Sequence, residues 1–194
     1  LTPATKDYLW GGKKLKEKYE KITDMDPLAE TWELSFHEDG PTRLPDGRLR
    51  GDNTDYFGFS YMSASCGADY NGKKVLILGS GGASLTVRAV AEDSGAREIV
   101  VISRNGENNY GNIDRHYDAD IIVNTTPVGM YPHTEEAPEL PYHCLTSAHI
   151  LFDLIYNPAK TLFLKRGEEQ GATILGGDEM FRRQAEASWE IWNR

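Results

Sequence analysis

Gly79-Ser80-Gly81-Gly82-Ala83-Ser84 follow the apolar run Val75-Leu76-Ile77-Leu78 and lead into a stretch with helical character. A glycine at position 79 lets the chain turn sharply off a strand. Gly81 lets backbone approach an anion with no side chain between them. Free N–H groups at the start of the next helix, at the positive end of its dipole, then face that anion. In a strand–turn–helix setting this is the chemistry of dinucleotide pyrophosphate binding. The usual third glycine is replaced by Ser84, while Gly82 and Ala83 keep the neighbourhood small. A purely structural turn could be spelled the same way.

The second strand indicates which dinucleotide. An NAD site places an acidic residue about 20 positions on, to accept from the ribose 2′-hydroxyl. Here Glu98 to Ile102 is followed by Ser103-Arg104-Asn105. A guanidinium at that place would pair with a 2′-phosphate, which favours NADP; the alternative is a solvated surface arginine. Asn124-Thr125-Thr126-Pro127-Val128-Gly129-Met130 follow the third apolar run. Ligands of open α/β sheets bind at that carboxyl edge. The set His143, Cys144, His149 and Asp153 fits no standard zinc spacing, so no metal is expected.

These residues need a scaffold, and the pattern supplies one from Lys73 onward. Strands are expected at 75–78, 98–102, 120–124, 149–155 and 173–175. Helices are expected over 84–94, 159–170 and 178–192, with another after Phe59 running to about Cys66. Alternation of this kind predicts an α/β fold: a Rossmann-like, doubly wound parallel sheet in three αβα layers. Residues 1–46 carry no apolar face of useful length and read as a small irregular segment, leaving 47–194 as the nucleotide-binding domain.

The whole chain has 194 residues, 26% charged and 39% hydrophobic, with a net charge of -9. Such composition predicts a folded soluble domain. The acidic balance argues against nucleic acid and anionic membrane surfaces as partners. No stretch reaches the about 18 apolar residues of a membrane helix, and no signal peptide is expected from Leu1-Thr2-Pro3 onward. The 2 cysteines make no disulfide framework, which suggests a cytoplasmic protein.

Taken together, the motifs resemble the shikimate dehydrogenase family over about residues 46–194. They are Gly51-x-Asn53-Thr54-Asp55-x-x-Gly58-Phe59, the 79–83 turn, Ser103-Arg104, the 124–130 segment, Asp153-Leu154-Ile155-Tyr156-Asn157-Pro158 and Gln184-Ala185. The family reversibly reduces 3-dehydroshikimate to shikimate with NADPH. The resemblance implies that Asp55 is the catalytic carboxylate and that Asn53, Tyr156 and Gln184 contact the small-molecule substrate. It assigns Gly79, Ser80, Gly81, Gly82 and Ala83 to the pyrophosphate, and Ser103 and Arg104 to the 2′-phosphate. Thr125, Thr126, Leu154, Gly177 and Met180 would line the nicotinamide side. Oligomeric state is left open.

The family pairs its Asp with a Lys in an Asn-Val-Thr-x-Pro-x-Lys motif, and the sequence carries no such motif. Residues 1–45 instead resemble the N-terminus of mannose-6-phosphate isomerase, through Leu9-Trp10-Gly11-Gly12-Lys13-Lys14-Leu15 and Ala29-Glu30-Thr31-Trp32-Glu33-Leu34-Ser35. Two other readings therefore stand beside the dehydrogenase: a non-catalytic NADP-binding module, and a metal-dependent sugar-phosphate isomerase fragment.

Overall fold

The structure, a computed structural model, describes residues 42–43, 49–50 and 53–193. A short antiparallel pair comes first, β1 (Thr42–Arg43) with β2 (Leu49–Arg50). Helix α1 (Thr54–Ser65) leads into β3 (Lys74–Leu78), α2 (Gly82–Asp93) and β4 (Glu98–Ile102). A 3-10 segment (Tyr110–His116), β5 (Ile121–Asn124), a second 3-10 turn (Tyr142–Cys144) and β6 (Ile150–Asp153) follow. The chain closes with α3 (Leu162–Glu169), β7 (Thr173–Leu175) and α4 (Asp178–Trp192).

Strands β3 to β7 form one parallel sheet in the order β4-β3-β5-β6-β7. Every residue of β3 is buried, which is why Lys74-Val75-Leu76-Ile77-Leu78 reads as a nearly continuous apolar run: both faces of a central strand are covered. Val75, Ile77, Val123 and Phe152 point to one face, against Phe59 and Met62 of α1, Val87 and Val90 of α2, and Met180 of α4. Leu76, Leu78, Ile122 and Leu151 point to the other, against Ile113 and against Phe163 and Leu164 of α3. The result is the expected three-layer αβα arrangement. At the amino end of β3, the buried Lys74 ammonium is held by Asp118 (2.7 Å) and Glu98 (3.3 Å), so that edge is satisfied internally.

Several boundaries differ from the sequence reading. Helix α2 starts at Gly82, not Ser84, with Gly81 as its N-cap; glycines at the mouth of a helix look like turn residues in sequence. Helix α3 starts at Leu162 because the Thr161 hydroxyl caps it. The strand expected over 149–155 is confined to 150–153, since Leu154 and Ile155 already belong to the loop. Helix α1 starts at Thr54, earlier than the helix expected after Phe59, because the Asn53 side chain caps it, accepting from the Tyr56 N–H at 3.0 Å.

Candidate active site

The sheet order reverses beside β3: the chain moves from β3 to β4 on one side, then crosses to β5 on the other. Loops leaving adjacent strands in opposite directions open a crevice at their carboxyl ends. Register makes this edge level. Leu78 pairs with Ile102 and with Asn124, and Asn124 pairs with Asp153. The segments beginning at Gly79, Ser103, Thr125 and Leu154, which the sequence singled out separately, therefore leave the sheet in one row.

Gly79 has φ +105, and a Cβ there would lie 2.8 Å from Thr126 Cγ2 and 2.9 Å from Thr125 Oγ1. Backbone conformation and crowding both require glycine. Thr125 fixes the facing loop: its N–H and its hydroxyl both donate to the Leu78 carbonyl, at 2.9 and 2.7 Å. Gly81 and Gly82 behave differently. Gly81 has φ -82, and a Cβ on either residue would meet nothing within 4 Å. The protein's own packing gives no steric reason for two glycines, and both open onto the start of α2. That helix has neither a side-chain cap nor an acidic residue in its first turn, so its first N–H groups are aimed at the open space. Ser84, in the third-glycine position, is buried and donates its hydroxyl to the Gly81 carbonyl at 2.6 Å. Ser80 is exposed and Ala83 half-buried at the same mouth.

At the end of β4 the Ser103 N–H donates to the Asn108 carbonyl at 3.0 Å, closing the loop that carries Arg104. Arg104 is exposed and makes no ion pair among the described residues. Burial raises the pKa of the Tyr110 phenol, the Glu139 charge adds to that rise, and the Arg104 charge opposes it.

A second cluster lies where α4 meets α1. A Cβ on Gly58 would come within 2.8 Å of both the Met180 carbonyl and Gln184 Cγ. Glycine lets the helices approach that closely, and the approach brings the Gln184 amide to donate to the Asp55 carboxylate. Met180 itself is buried in the core. Gly177, directly before α4, donates to the Ile155 carbonyl at 3.0 Å, which ties the start of α4 to the loop after β6. In that loop Leu154 is half-buried, while Tyr156 is 52% exposed and stacks on Phe181 with ring centroids 4.5 Å apart. Asn53 spends its side-chain oxygen capping α1.

Sequence reasoning gave Asp153 only as part of a motif and set it aside as a ligand. It is fully buried. Asn124 Nδ2 and the Ile155 N–H donate to its Oδ1, each at 3.1 Å, and the Thr161 hydroxyl donates to its Oδ2 at 2.6 Å. Burial pushes its pKa up to about 6, against the pull of those hydrogen bonds. The lysines of the N-terminal segment, Lys6, Lys13, Lys14, Lys16, Lys18 and Lys21, lie outside the described residues. So does most of the segment compared with mannose-6-phosphate isomerase.

No protein-family model matches the chain. Among curated proteins, the shikimate dehydrogenase (NADP(+)) of Clostridium perfringens strain SM101 is 32% identical over 163 residues, covering 77% of this chain and 60% of that protein. Among solved structures, a chorismate mutase/shikimate 5-dehydrogenase fusion protein from Clostridium acetobutylicum superposes with TM-score 0.70 at 36% identity, covering 82% of this chain and 58% of that one. The shikimate 5-dehydrogenase of Thermus thermophilus, in complex with NADP(H) and shikimate, gives TM-score 0.64 at 27% identity over 76% of this chain and 59% of that one. The isomerase resemblance gains no support from these relatives. The chain spans about 60% of the length of the curated relatives it matches, and over most of its own length it is a homologue of the shikimate dehydrogenases.

Proposed function

We propose that the chain is an NADP-dependent shikimate dehydrogenase, with residues 47–194 as its nucleotide-binding domain. The observation that carries this reading is the pair Gly81 and Gly82: glycines that packing does not require, at an uncapped helix start, in the switch-point crevice. Backbone N–H groups of 81–83 with the α2 dipole would cradle the pyrophosphate, and Gly79 and Ser80 would shape the turn. Arg104, exposed and without an ion pair among the described residues, would take the 2′-phosphate beside Ser103. Thr125, Thr126, Leu154, Gly177 and Met180 would form the nicotinamide side. When bound, NADP supplies the hydride acceptor for oxidation and NADPH the donor for reduction.

The residues' own work is positioning and proton handling. Asp55, fixed by Gln184, holds negative charge where a substrate hydroxyl must give up its proton. Tyr156 and Asn53 complete the substrate side, with Phe181 backing the tyrosine ring. Without the motif lysine, the pair that exchanges this proton in the resembled family is half present. A general acid typically contributes about 10²–10⁴-fold to rate, so weak turnover is compatible with Asp55 alone, while loss of the substrate pocket would cost more through lost positioning. The missing lysine also favours a second reading, an NADP-binding module without turnover. A cytoplasmic location and small-molecule partners accord with this reading; among the described residues no helix is long and apolar enough to cross a membrane.

Isothermal titration with NADP+ and NAD+ tests the assignment. NADP+ should bind at least about tenfold more tightly, through a charge-assisted contact from Arg104, and Arg104→Ala should erase the difference. Equal binding of both nucleotides, or none of either, would overturn it.

A further inference from the structure

Asp153 ends β6 in register with Asn124, and both side chains are fully buried. A carboxylate with no exposed surface ordinarily has a cation beside it. Among the described residues Asp153 forms no ion pair. Its charge adds to the rise that burial imposes on the Tyr142 phenol, over whose ring Arg166 lies at 5.1 Å from the centroid. What the carboxylate has instead is neutral donors from separate parts of the chain. Asn124 comes from the end of β5, the Ile155 N–H from the loop after β6, and the Thr161 hydroxyl from the cap of α3.

The network continues outward. Asn124 Oδ1 accepts from the Thr126 N–H at 3.0 Å and from the Thr126 hydroxyl at 2.7 Å. The Asn124 carbonyl accepts from the Leu154 N–H at 3.1 Å. Thr125 and Thr126 in turn fill the space beside Gly79. The path from the glycine turn to α3 thus runs through Thr126, Asn124 and Asp153, and the Asp153 carboxylate is the acceptor in each of its three hydrogen bonds. An apolar residue would suit the strand better, so what the carboxylate holds is the reason for its presence.

We propose that Asp153 is a positioning residue: its buried carboxylate ties the loop after β5 to the loop after β6, and so sets Thr125, Thr126 and Leu154 in the arrangement that receives the nicotinamide end of NADP. This rests on the nucleotide reading above. With no exposed surface Asp153 touches neither substrate nor cofactor; it acts through Asn124, Ile155 and Thr161.

The test uses the full chain with Thr161→Val, Thr161→Ser and Asp153→Asn, followed by amide hydrogen exchange and by NADPH fluorescence titration. Thr161→Val removes one donor and should speed exchange in 125–131 and 154–160 about tenfold, leave β3 and β4 unchanged, and raise the NADPH Kd about tenfold. Thr161→Ser should restore both. Thr161 also caps α3, accepting from the Leu164 N–H at 3.4 Å. Asp153→Asn leaves that hydroxyl in place and should loosen the same two loops to a smaller degree. Loosening confined to α3, or loops that loosen with no change in NADPH affinity, would overturn the positioning role. A wild-type chain that binds no NADPH would instead overturn the nucleotide reading and, with it, the role assigned to the loops.

Discussion

Alanine at Gly81 and alanine at Gly79 should have opposite consequences, because only one of these glycines is needed by the fold. At Gly79 an alanine must adopt φ +105 and place its methyl 2.8 Å from Thr126 Cγ2. The backbone strain is about 1–3 kcal/mol, and forcing a methyl into packed space adds about 1–3 kcal/mol. A loss of about 2–6 kcal/mol would consume much of the stability of an ordinary domain. At Gly81 the backbone already suits alanine, and the methyl meets nothing within 4 Å. Reduced unfolded-state entropy and a weaker N-cap oppose each other, so stability should stay within about 1 kcal/mol of the parent. The methyl does enter the space where the pyrophosphate would lie. An overpacking penalty of about 1–3 kcal/mol there weakens NADP+ binding by about five- to a hundredfold. Urea denaturation and NADP+ titration of both variants read the two effects separately. A Gly81→Ala chain that binds NADP+ like the parent would refute the assignment of this turn as the cradle.

Other consequences follow from the same geometry. Gly58→Ala should push α4 from α1, part Gln184 from Asp55 and reduce kcat while leaving NADP+ affinity unchanged; steady-state kinetics beside titration would show the split. Gln184→Leu should lower activity without loss of folding, since its amide is spent on Asp55; a circular dichroism melt controls for stability. Asp153 carries a pH signature. Its folded pKa, about 6, lies above the ordinary 3.8, so the folded state favours the protonated form. The stabilisation is fully present below about pH 4 and is lost as pH rises through about 6. Two pKa units correspond to about 3 kcal/mol. Relative to Asp153→Asn, the parent should therefore gain stability as pH falls from 7 to 4 in denaturant titrations; a difference that stays flat would contradict the burial assigned to this carboxylate.

The sequence revealed those parts of the molecule whose signals are local. Lys74–Leu78 is apolar throughout its last four residues and stops at glycine, so strand, turn and helix could be read in order, and the parallel sheet followed from repetition of the pattern. The 3-10 segment over 110–116 could not be read. It is organised by Asn109 and Asn112 side chains bonding each other's backbone, and its residues have no apolar period. The Asp153 network was hidden for a related reason: an acidic residue inside an expected apolar strand carries no signal of what it binds, and its partner Asn124 is 29 positions away. Gln184 and Asp55 are separated by 129 positions. Only the resemblance to a known family pointed to both, and the close approach at Gly58 explains why they meet.

The most direct measurement is NADPH formation followed at 340 nm with saturating shikimate and NADP+, for the chain and for Asp55→Asn. Turnover should need both compounds and fall at least about a hundredfold on substitution, as for loss of a group acting on the transferred proton. Turnover unaffected by Asp55→Asn would contradict the role given to that carboxylate. A folded chain that binds NADP+ and never forms NADPH would leave nucleotide binding without the dehydrogenase.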